Sequence, residues 1–183
     1  QIAITFDDGY ESQRQAAATL EEFGFSATFF VVMRFLTGDQ TGSGYWEKWS
    51  HMTWADIRLL ADLGFEIGAH SVTHPRLTQS SPDRLHQEVQ GAKSCLEDRL
   101  GRPIVSFSYP YGAYNDVVQQ IVKEAGYRLA CTSIYGTNRT PWRRFELRRI
   151  EISGADRLVD FRHKLQGKYD WLGHWQRWSR RYA

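Results

Sequence analysis

The sequence predicts an α/β fold in which parallel strands alternate with helices and form a shortened, distorted (β/α) barrel. Three junctions between a predicted helix and the next strand repeat one pattern, a glycine followed by an aromatic residue: Gly24-Phe25, Gly64-Phe65 and Gly126-Tyr127. Glycine suits the position just after a helix, and helix–strand alternation is typical of parallel β/α units. A regular eightfold barrel takes about 250 residues. A chain of 183 residues therefore predicts a shorter, distorted barrel.

Six strands and five helices are expected along the chain. The strands are predicted near Ile2–Phe6, Ala27–Val32, Glu66–Ala69, Ile104–Phe107, Arg128–Thr132 and Leu147–Ile152. The helices are predicted near Glu11–Phe23, Trp54–Leu63, Pro82–Leu100, Asp116–Ala125 and Arg157–Gln166. A chain of this length can bury a sizeable core without help from a metal or a disulfide. We expect one domain over residues 1–183, and the sequence leaves open whether its N-terminus is truncated.

The first predicted strand ends in two adjacent acids, Asp7 and Asp8. The run Ile2–Phe6 is apolar and β-branched, so it is expected to be buried, and Gly9 permits a sharp turn where the strand ends. Two carboxylates at the end of a buried strand are costly unless a cation holds them. Taken alone, an Asp-Asp pair is more often a solvated turn or a helix N-cap. The prediction of a cation site at these two acids therefore depends on finding further ligands in the sequence.

The third predicted strand supplies such ligands, because His70 and His74 follow Glu66–Ala69. One carboxylate and two imidazoles form a ligand set typical of zinc or another divalent transition metal. The helical zincin motif would need Glu where Ser71 stands, and Pro75 favours a loop at the strand end. Carboxyl ends of parallel strands gather on one face, where ligands bind. With the second acid free to act as a base, the pattern outlines a metal-assisted hydrolase.

The fourth predicted strand runs into the turn Tyr109-Pro110-Tyr111-Gly112. In order along the chain, Thr-Phe-Asp-Asp-Gly, His-Ser-x-x-His-Pro and Tyr-Pro-Tyr-Gly resemble the polysaccharide deacetylases, also called the NodB-homology group or carbohydrate esterase family four. The resemblance runs from about residue 2 to residue 152. It implies a metal-dependent hydrolase that removes acetyl groups from the N-acetylated sugars of a glycan. The implied cofactor is one divalent metal, with Zn expected first and Co, Ni or Mn as alternatives.

The resemblance also implies roles for individual residues. The metal ligands would be Asp8, His70 and His74. Asp7 would be the catalytic base that takes a proton from the attacking water. The backbone N–H of Tyr111 would help to stabilise the oxyanion, a contribution typically worth a few kcal/mol per donor. The residues in contact with the substrate would be Tyr109, Pro110 and Tyr111.

Ser108 stands where the family has an arginine that holds the catalytic aspartate. Arg149 is the candidate substitute, because side chains alternate along Leu147–Ile152. This parity turns Leu147, Arg149 and Glu151 to the barrel interior. Ile150 and Ile152 would pack outward. A surface pair of arginines, Arg148 and Arg149, on an edge strand is the alternative.

The family's general acid, a histidine in a late Leu-x-His motif on an apolar strand, has no clear counterpart. Leu172-Gly173-His174 matches the letters, but the tryptophans around it recur at helical spacing and favour an amphipathic C-terminal helix. The other candidate is a histidine upstream of Gln1, since the chain opens within the first strand.

Composition limits the kinds of binding partner and the cellular locations that can be predicted. A net charge of +2 is too small to imply nucleic-acid binding, and no apolar run predicts stable membrane insertion. Cys95 and Cys131 are expected to be buried free thiols, which do not decide the compartment. The family resemblance favours a periplasmic or other extracytoplasmic location and leaves the cytoplasm open. The oligomeric state is not predicted.

Two alternative functions stay open. The scaffold also resembles some hydrolases of small cyclic amides and ureides. A glycan-binding pseudoenzyme is suggested by the absent arginine and acid, although both imidazoles and both acids are present and favour an enzyme.

Overall fold

The computed structural model describes residues 2–37, 49–140 and 142–173. Its strands are β1 (Ile4–Phe6), β2 (Ala27–Val31), β3 (Glu66–Ala69), β4 (Ser106–Ser108), β5 (Leu129–Tyr135) and β6 (Leu147–Arg149). Its helices are α1 (Gln13–Glu22), α2 (Met33–Leu36), α3 (Trp54–Asp62), α4 (Pro82–Leu100), α5 (Asp116–Glu124) and α6 (Leu158–Leu165). Two short 3₁₀ turns lie at Leu77–Gln79 and Pro110–Gly112.

The six strands form one sheet in the order of the chain, and every neighbouring pair is parallel. The sheet curls into a half-barrel, so that a side chain of β6 reaches β1: the Arg149 guanidinium donates to the Thr5 hydroxyl at 3.3 Å. Because all strands run the same way, their carboxyl ends lie along one rim of the half-barrel. The predicted α/β fold of the shortened (β/α) barrel type is confirmed.

Local sequence explains where the longer helices begin and end. Thr53 and Asp56 form a reciprocal capping box at the start of α3. Pro82 occupies the first turn of α4, where its missing N–H costs nothing, and Gly101 closes that helix in a left-handed conformation. The Asn115 side chain accepts a hydrogen bond from the Val118 N–H at the start of α5.

The hydrophobic core lies between the sheet and α3, α4 and α5. The buried apolar side chains include Phe29, Val31, Ile57, Leu60, Ile67, Val89, Leu96, Phe107, Val118, Val122 and Ala130. In contrast, α6 buries none of its residues. The strands that end at the rim are therefore anchored by packing on the helices behind them, which gives the loops at their carboxyl ends a rigid base.

Several element boundaries differ from the prediction. Strand β6 is three residues long rather than six, ending at Arg149; beyond it Glu151 and Ile152 are exposed. The expectation that Glu151 faces the barrel interior and Ile152 packs outward is therefore wrong. The chain leaves the sheet after Arg149, so the two-residue periodicity of a strand no longer applies.

Smaller corrections concern α2 and the cysteines. Helix α2 was not predicted, because four residues are too few to show a helical period. Cys131 is a buried free thiol as expected, whereas Cys95 is only half-buried. None of the helices within the described ranges is long and apolar enough to cross a membrane.

Candidate metal centre and active site

The candidate site lies at the rim where β1, β3 and β4 end. The four non-glycine residues with positive φ in the described part of the chain are Asp8 (72°), Ser71 (68°), His74 (58°) and Tyr111 (60°). All of them belong to the three loops that follow these strands. A non-glycine residue in this region costs roughly 1–3 kcal/mol, and such strain clusters at functional sites. The backbone alone thus points to this rim.

Three side chains at the rim converge on one point. The Nε2 atoms of His70 and His74 each lie 3.4 Å from Asp8 Oδ1, and they lie 3.3 Å from each other. Asp8 Oδ1 is buried and accepts no hydrogen bond from any residue that the structure describes. A buried carboxylate oxygen left in this way is costly unless a cation meets it.

The tautomer of His70 is set by a backbone carbonyl. Its Nδ1 lies 2.6 Å from the carbonyl oxygen of Ser108. A carbonyl can only accept, so Nδ1 carries the proton and Nε2 presents its lone pair toward Asp8. Histidines that bind metals are typically oriented in this way by the ring nitrogen that does not touch the metal.

The electrostatics of the group also suit a cation. Burial, and then the neighbouring His70, lowers the pKa of His74 to about 3, which keeps its imidazole neutral at ordinary pH. Burial raises the pKa of Asp8, and the Asp7 charge acts in the same direction against the opposing effect of His70. Asp8, His70 and His74 form the group that could hold a metal ion, with their ligand atoms within 4.8 Å of one another. One carboxylate and two neutral imidazoles fit a divalent transition metal, and a catalytic zinc site typically has three protein ligands and an open position.

The neighbouring acid, Asp7, binds Arg149 in a two-point ion pair. Arg149 Nη1 lies 2.7 Å from Oδ1 of Asp7, and Nη2 lies 2.6 Å from Oδ2. Desolvation alone would raise the pKa of Asp7, but the Arg149 charge, followed by His70, outweighs it and holds this pKa at about 2. Asp7 is therefore ionised at neutral pH, although its side chain is only 26% exposed.

Three more contacts fix the Arg149 guanidinium. Its Nε donates to the Thr132 carbonyl at 2.9 Å, and Nη2 donates to the Ser108 hydroxyl at 3.1 Å. The Ser108 hydroxyl in turn lies 3.3 Å from Asp7 Oδ2, and Nη1 also reaches Thr5. Ser108, which stands in place of the expected arginine, thus touches both Arg149 and Asp7, while its carbonyl orients His70. Strand β6 does turn Arg149 inward, as the alternation of side chains predicted.

Tyr109, Pro110 and Tyr111 do not share one environment. The Tyr109 ring is 0% exposed, stacks on Tyr114 and donates its hydroxyl to the Phe145 carbonyl at 3.1 Å. Pro110 is also buried. Both side chains pack beneath the loop, so the predicted contact of Tyr109 and Pro110 with a substrate would have to be made through their backbone.

Tyr111 is the one residue of these three with an exposed side chain at the rim. It is 38% exposed, and its ring centroid lies 4.6 Å from that of His74. The Arg76 guanidinium lies 4.8 Å above the same ring. The left-handed backbone of Tyr111 is followed by Gly112, where an added Cβ would lie 2.6 Å from the Ser133 nitrogen. Only glycine lets the loop come this close to β5.

Sequence reasoning missed Glu88, a buried acid of α4 that bonds the loop between His70 and His74. The signal was present, since Glu88 lies on the same helix face as Leu85, Ala92 and Leu96, all of them buried. A charged residue among buried apolar residues indicates that a hydrogen-bonding or ionic partner lies nearby.

The candidate general acid His174 lies outside the described residues.

Comparisons with known proteins agree with this geometry. The family model for polysaccharide deacetylase matches residues 1–130. The chain is 30% identical over 136 residues to a chitooligosaccharide deacetylase of Azorhizobium caulinodans, covering 73% of this chain and 58% of that protein. It is 30% identical over 129 residues to a peptidoglycan-N-acetylglucosamine deacetylase of Bacillus cereus, covering 69% and 54%. The chain thus spans somewhat more than half the length of these curated relatives.

A solved structure is similar over most of the chain. The Streptococcus pyogenes deacetylase PplD, in complex with acetate, matches with a TM-score of 0.77 and 26% identity, over 89% of this chain and 68% of that one. The loops with Asp7 and Asp8, His70 and His74, and Tyr111 all fall inside the range matched by the family model, whereas Arg149 lies beyond it. Sequence, fold and the meeting of these three loops lead to the same conclusion: the chain belongs to the polysaccharide deacetylase family.

Proposed function

We propose that this chain is a metal-dependent hydrolase that removes acetyl groups from N-acetylated sugars in a polysaccharide. The observation that carries the proposal is the pairing of two unlike acids at the rim. Asp8 lies against His70 and His74, while Asp7 lies against Arg149. One acid is thereby suited to bind a cation and the other to accept a proton. Family membership supplies the acetylated glycan as the class of substrate.

Asp8, His70 and His74 would hold one divalent ion. Zinc is the first choice because it accepts a carboxylate oxygen with two imidazole nitrogens, and Co, Ni or Mn are alternatives. When bound, such an ion would act as a Lewis acid that polarises the acetyl carbonyl and makes the attacking water more acidic. His70 would be kept in the ligand tautomer by its hydrogen bond to Ser108.

Asp7 would be the base that accepts a proton from the attacking water. With a pKa of about 2, its carboxylate is always ionised near neutral pH, but it is a weak base. It therefore suits a water molecule whose own acidity is raised. Arg149 would fix both carboxylate oxygens in place, so that no motion of Asp7 is needed before the proton is transferred.

Tyr111 would contribute in two ways. Its backbone N–H would donate to the oxygen that gains negative charge as water attacks, since its loop lies at the rim beside His74. Its half-exposed ring would offer an aromatic surface to the sugar. This assignment makes the backbone of Tyr111 more important than the identity of its side chain.

The test is acetate release over a panel of N-acetylated glycans and O-acetylated xylan, with and without added zinc, cobalt, nickel or manganese. We expect metal-dependent release from at least one N-acetylated glycan, and release slower by roughly 10²- to 10⁴-fold from the Asp7→Asn variant in the same assay. Glycan binding without acetate release under every metal would contradict the proposal and would instead indicate a pseudoenzyme.

A further inference from the structure

A buried carboxylate lies behind the loop that carries both candidate histidine ligands. Glu88, on α4, is 4% exposed. Its Oε2 accepts hydrogen bonds from the backbone N–H groups of Val72 at 3.0 Å and Thr73 at 2.8 Å. Its Oε1 accepts one from the Thr73 hydroxyl at 2.5 Å. One side chain thus satisfies three donors between His70 and His74.

The loop that Glu88 holds has a strained backbone. Ser71 and His74 both adopt positive φ, at 68° and 58°. The Ser71 hydroxyl accepts a hydrogen bond from the His74 N–H at 2.9 Å, which ties the two strained residues together. Strained conformations persist only where the surroundings determine them from several directions. Glu88 provides the contact from the helix, through the two residues that lie between Ser71 and His74.

Stability of α4 does not explain an acid at this position. Leu85 and Ala92, on the same helix face, are buried and apolar, so an apolar residue at 88 would continue the stripe. Burying a carboxylate costs free energy unless it is hydrogen-bonded. Arg84 lies 3.5 Å from Oε1 of Glu88 and more than half of its side chain is exposed, so it compensates the charge only in part. The contacts that compensate the burial are those with the loop.

We propose that Glu88 is a positioning residue for the metal site. By fixing the backbone of Val72 and Thr73, it sets the spacing of the His70 and His74 imidazoles and thereby the affinity for the metal ion. The inference rests on the proposed function, because it assumes that these imidazoles bind a metal. Glu88 acts through the loop backbone and does not itself coordinate the ion.

The direct test is a calorimetric titration of the metal-free protein with Zn²⁺. Glu88→Ala should weaken Zn²⁺ binding by about 10- to 100-fold, the usual effect of removing a group that orients metal ligands. Glu88→Gln should lose much less Zn²⁺ affinity than Glu88→Ala. Its carboxamide oxygen can still accept both N–H groups, and its NH₂ can donate to the Thr73 hydroxyl.

Glu97 offers a matched control on the same helix. Its carboxylate also holds a backbone N–H, that of Ile104 at 2.9 Å, and pairs with Lys93 at 2.8 Å. Ile104 precedes β4, so this contact lies at the amino end of a strand, whereas the candidate metal group lies at the carboxyl ends. Glu97→Ala should therefore affect unfolding but leave the Zn²⁺ dissociation constant unchanged.

A second measurement needs no metal. In the metal-free protein, the Val72 and Thr73 amides should exchange with solvent faster in Glu88→Ala than in wild type, and at the wild-type rate in Glu97→Ala. If Glu88→Ala does not fold, Thr73→Val replaces it, because this change removes one of the three donors at nearly constant shape. We expect Thr73→Val to weaken Zn²⁺ binding by several-fold.

The possible failures can be told apart. Wild-type Zn²⁺ affinity in Glu88→Ala, or in Thr73→Val if that variant is needed, would overturn the role of Glu88 while leaving the metal site intact. Absence of Zn²⁺ binding in the wild-type protein would instead overturn the proposed function itself.

Discussion

Asp7 and Asp8 are adjacent in the chain, but their carboxylates meet opposite surroundings. Asp7 accepts two hydrogen bonds from a guanidinium, whereas Asp8 faces two imidazole nitrogens and has a raised pKa. The two side chains follow the end of β1, where successive residues point to opposite faces, and Asp8 itself has a left-handed φ of 72°. Two identical residues thus lie in environments that suit the two different roles we propose for them.

The first prediction separates the two acids. Asp8→Asn should lose stoichiometric metal binding, because an amide oxygen is a weaker ligand than a carboxylate and only two imidazoles remain. Asp7→Asn should keep the metal and lose roughly 10²- to 10⁴-fold in turnover, since an amide cannot accept the proton. Elemental analysis and acetate release measure the two effects. The reverse pattern, with metal lost in Asp7→Asn, would show that the roles are exchanged.

The second prediction concerns Arg149. Arg149→Met removes the charge that holds the pKa of Asp7 at about 2, so this pKa should rise by roughly 1–3 units. Because the base must be ionised, activity is lost as the pH falls through that pKa. The acidic limb of the pH–rate profile should therefore move to higher pH, with lower turnover and unchanged metal content.

Arg148→Met is the matched control for Arg149→Met. The backbone of Arg148 pairs with the Asn138 side chain, and the alternation along β6 turns the Arg148 side chain away from the face that carries Arg149. It should leave both the profile and the turnover nearly unchanged. Equal, mild effects from the two substitutions would leave Asp7 without a functional partner.

At the scale of secondary-structure elements, the junctions were the most predictable part of the chain. Gly24, Gly64 and Gly126 all have positive φ, as a glycine just after a helix should. The order of the strands and helices followed from the same pattern. Boundaries that depend on tertiary contacts were harder to predict from the sequence. Strand β6 ends at Arg149, and no local signal in Ile150–Ile152 marks that end.

The candidate site was predictable to a similar degree. The two acids and two histidines were visible because each pair follows an apolar strand. Which of the two tyrosines, Tyr109 or Tyr111, is exposed at the rim could not be predicted. It depends on a partner 36 residues away, the Phe145 carbonyl that accepts a hydrogen bond from the Tyr109 hydroxyl. Glu88 was missed for the same reason, since the hydrogen bonds that hold it buried come from Val72 and Thr73, on a loop about 15 residues away along the chain.

The third prediction tests the loop after β4. Gly112 and Gly101 both have φ of 65°, but an added Cβ meets the Ser133 nitrogen at 2.6 Å at the first position and nothing within 4 Å at the second. Gly101→Ala should cost about 1–2 kcal/mol of unfolding free energy, the usual cost of a left-handed L-residue. Gly112→Ala should cost more, and it should also lower turnover because it displaces the Tyr111 backbone. Denaturant unfolding and acetate release provide the measurements; equal costs would contradict the close approach.

At the scale of the whole molecule, the candidate metal group joins loops from two parts of the half-barrel. Asp8 follows β1, whereas His70 and His74 follow β3, with β2 between these strands in the sheet. An ion held by both loops would stabilise the folded chain as a unit, because the unfolded chain does not bring these ligands together.

The fourth prediction follows from that linkage. Zinc at about 100 times its dissociation constant should stabilise the folded state by roughly 2.7 kcal/mol. For a chain of this size, that corresponds to an increase in Tm of about 5–11 °C. A chelator should reverse the change. His70→Ala and His74→Ala should show no such increase in Tm, and an equal increase in both variants would place the bound zinc elsewhere.

The ion pair between Arg149 and Asp7 joins residues 142 positions apart. The three candidate metal ligands, in contrast, all lie within the first 74 residues. During synthesis, all three candidate metal ligands therefore leave the ribosome before Arg149. Contacts so distant in sequence form late, because a long loop must close first. Under the proposed function, a chain that has not yet docked β6 would already hold the candidate metal ligands together, while Asp7 would still lack the arginine that orients it.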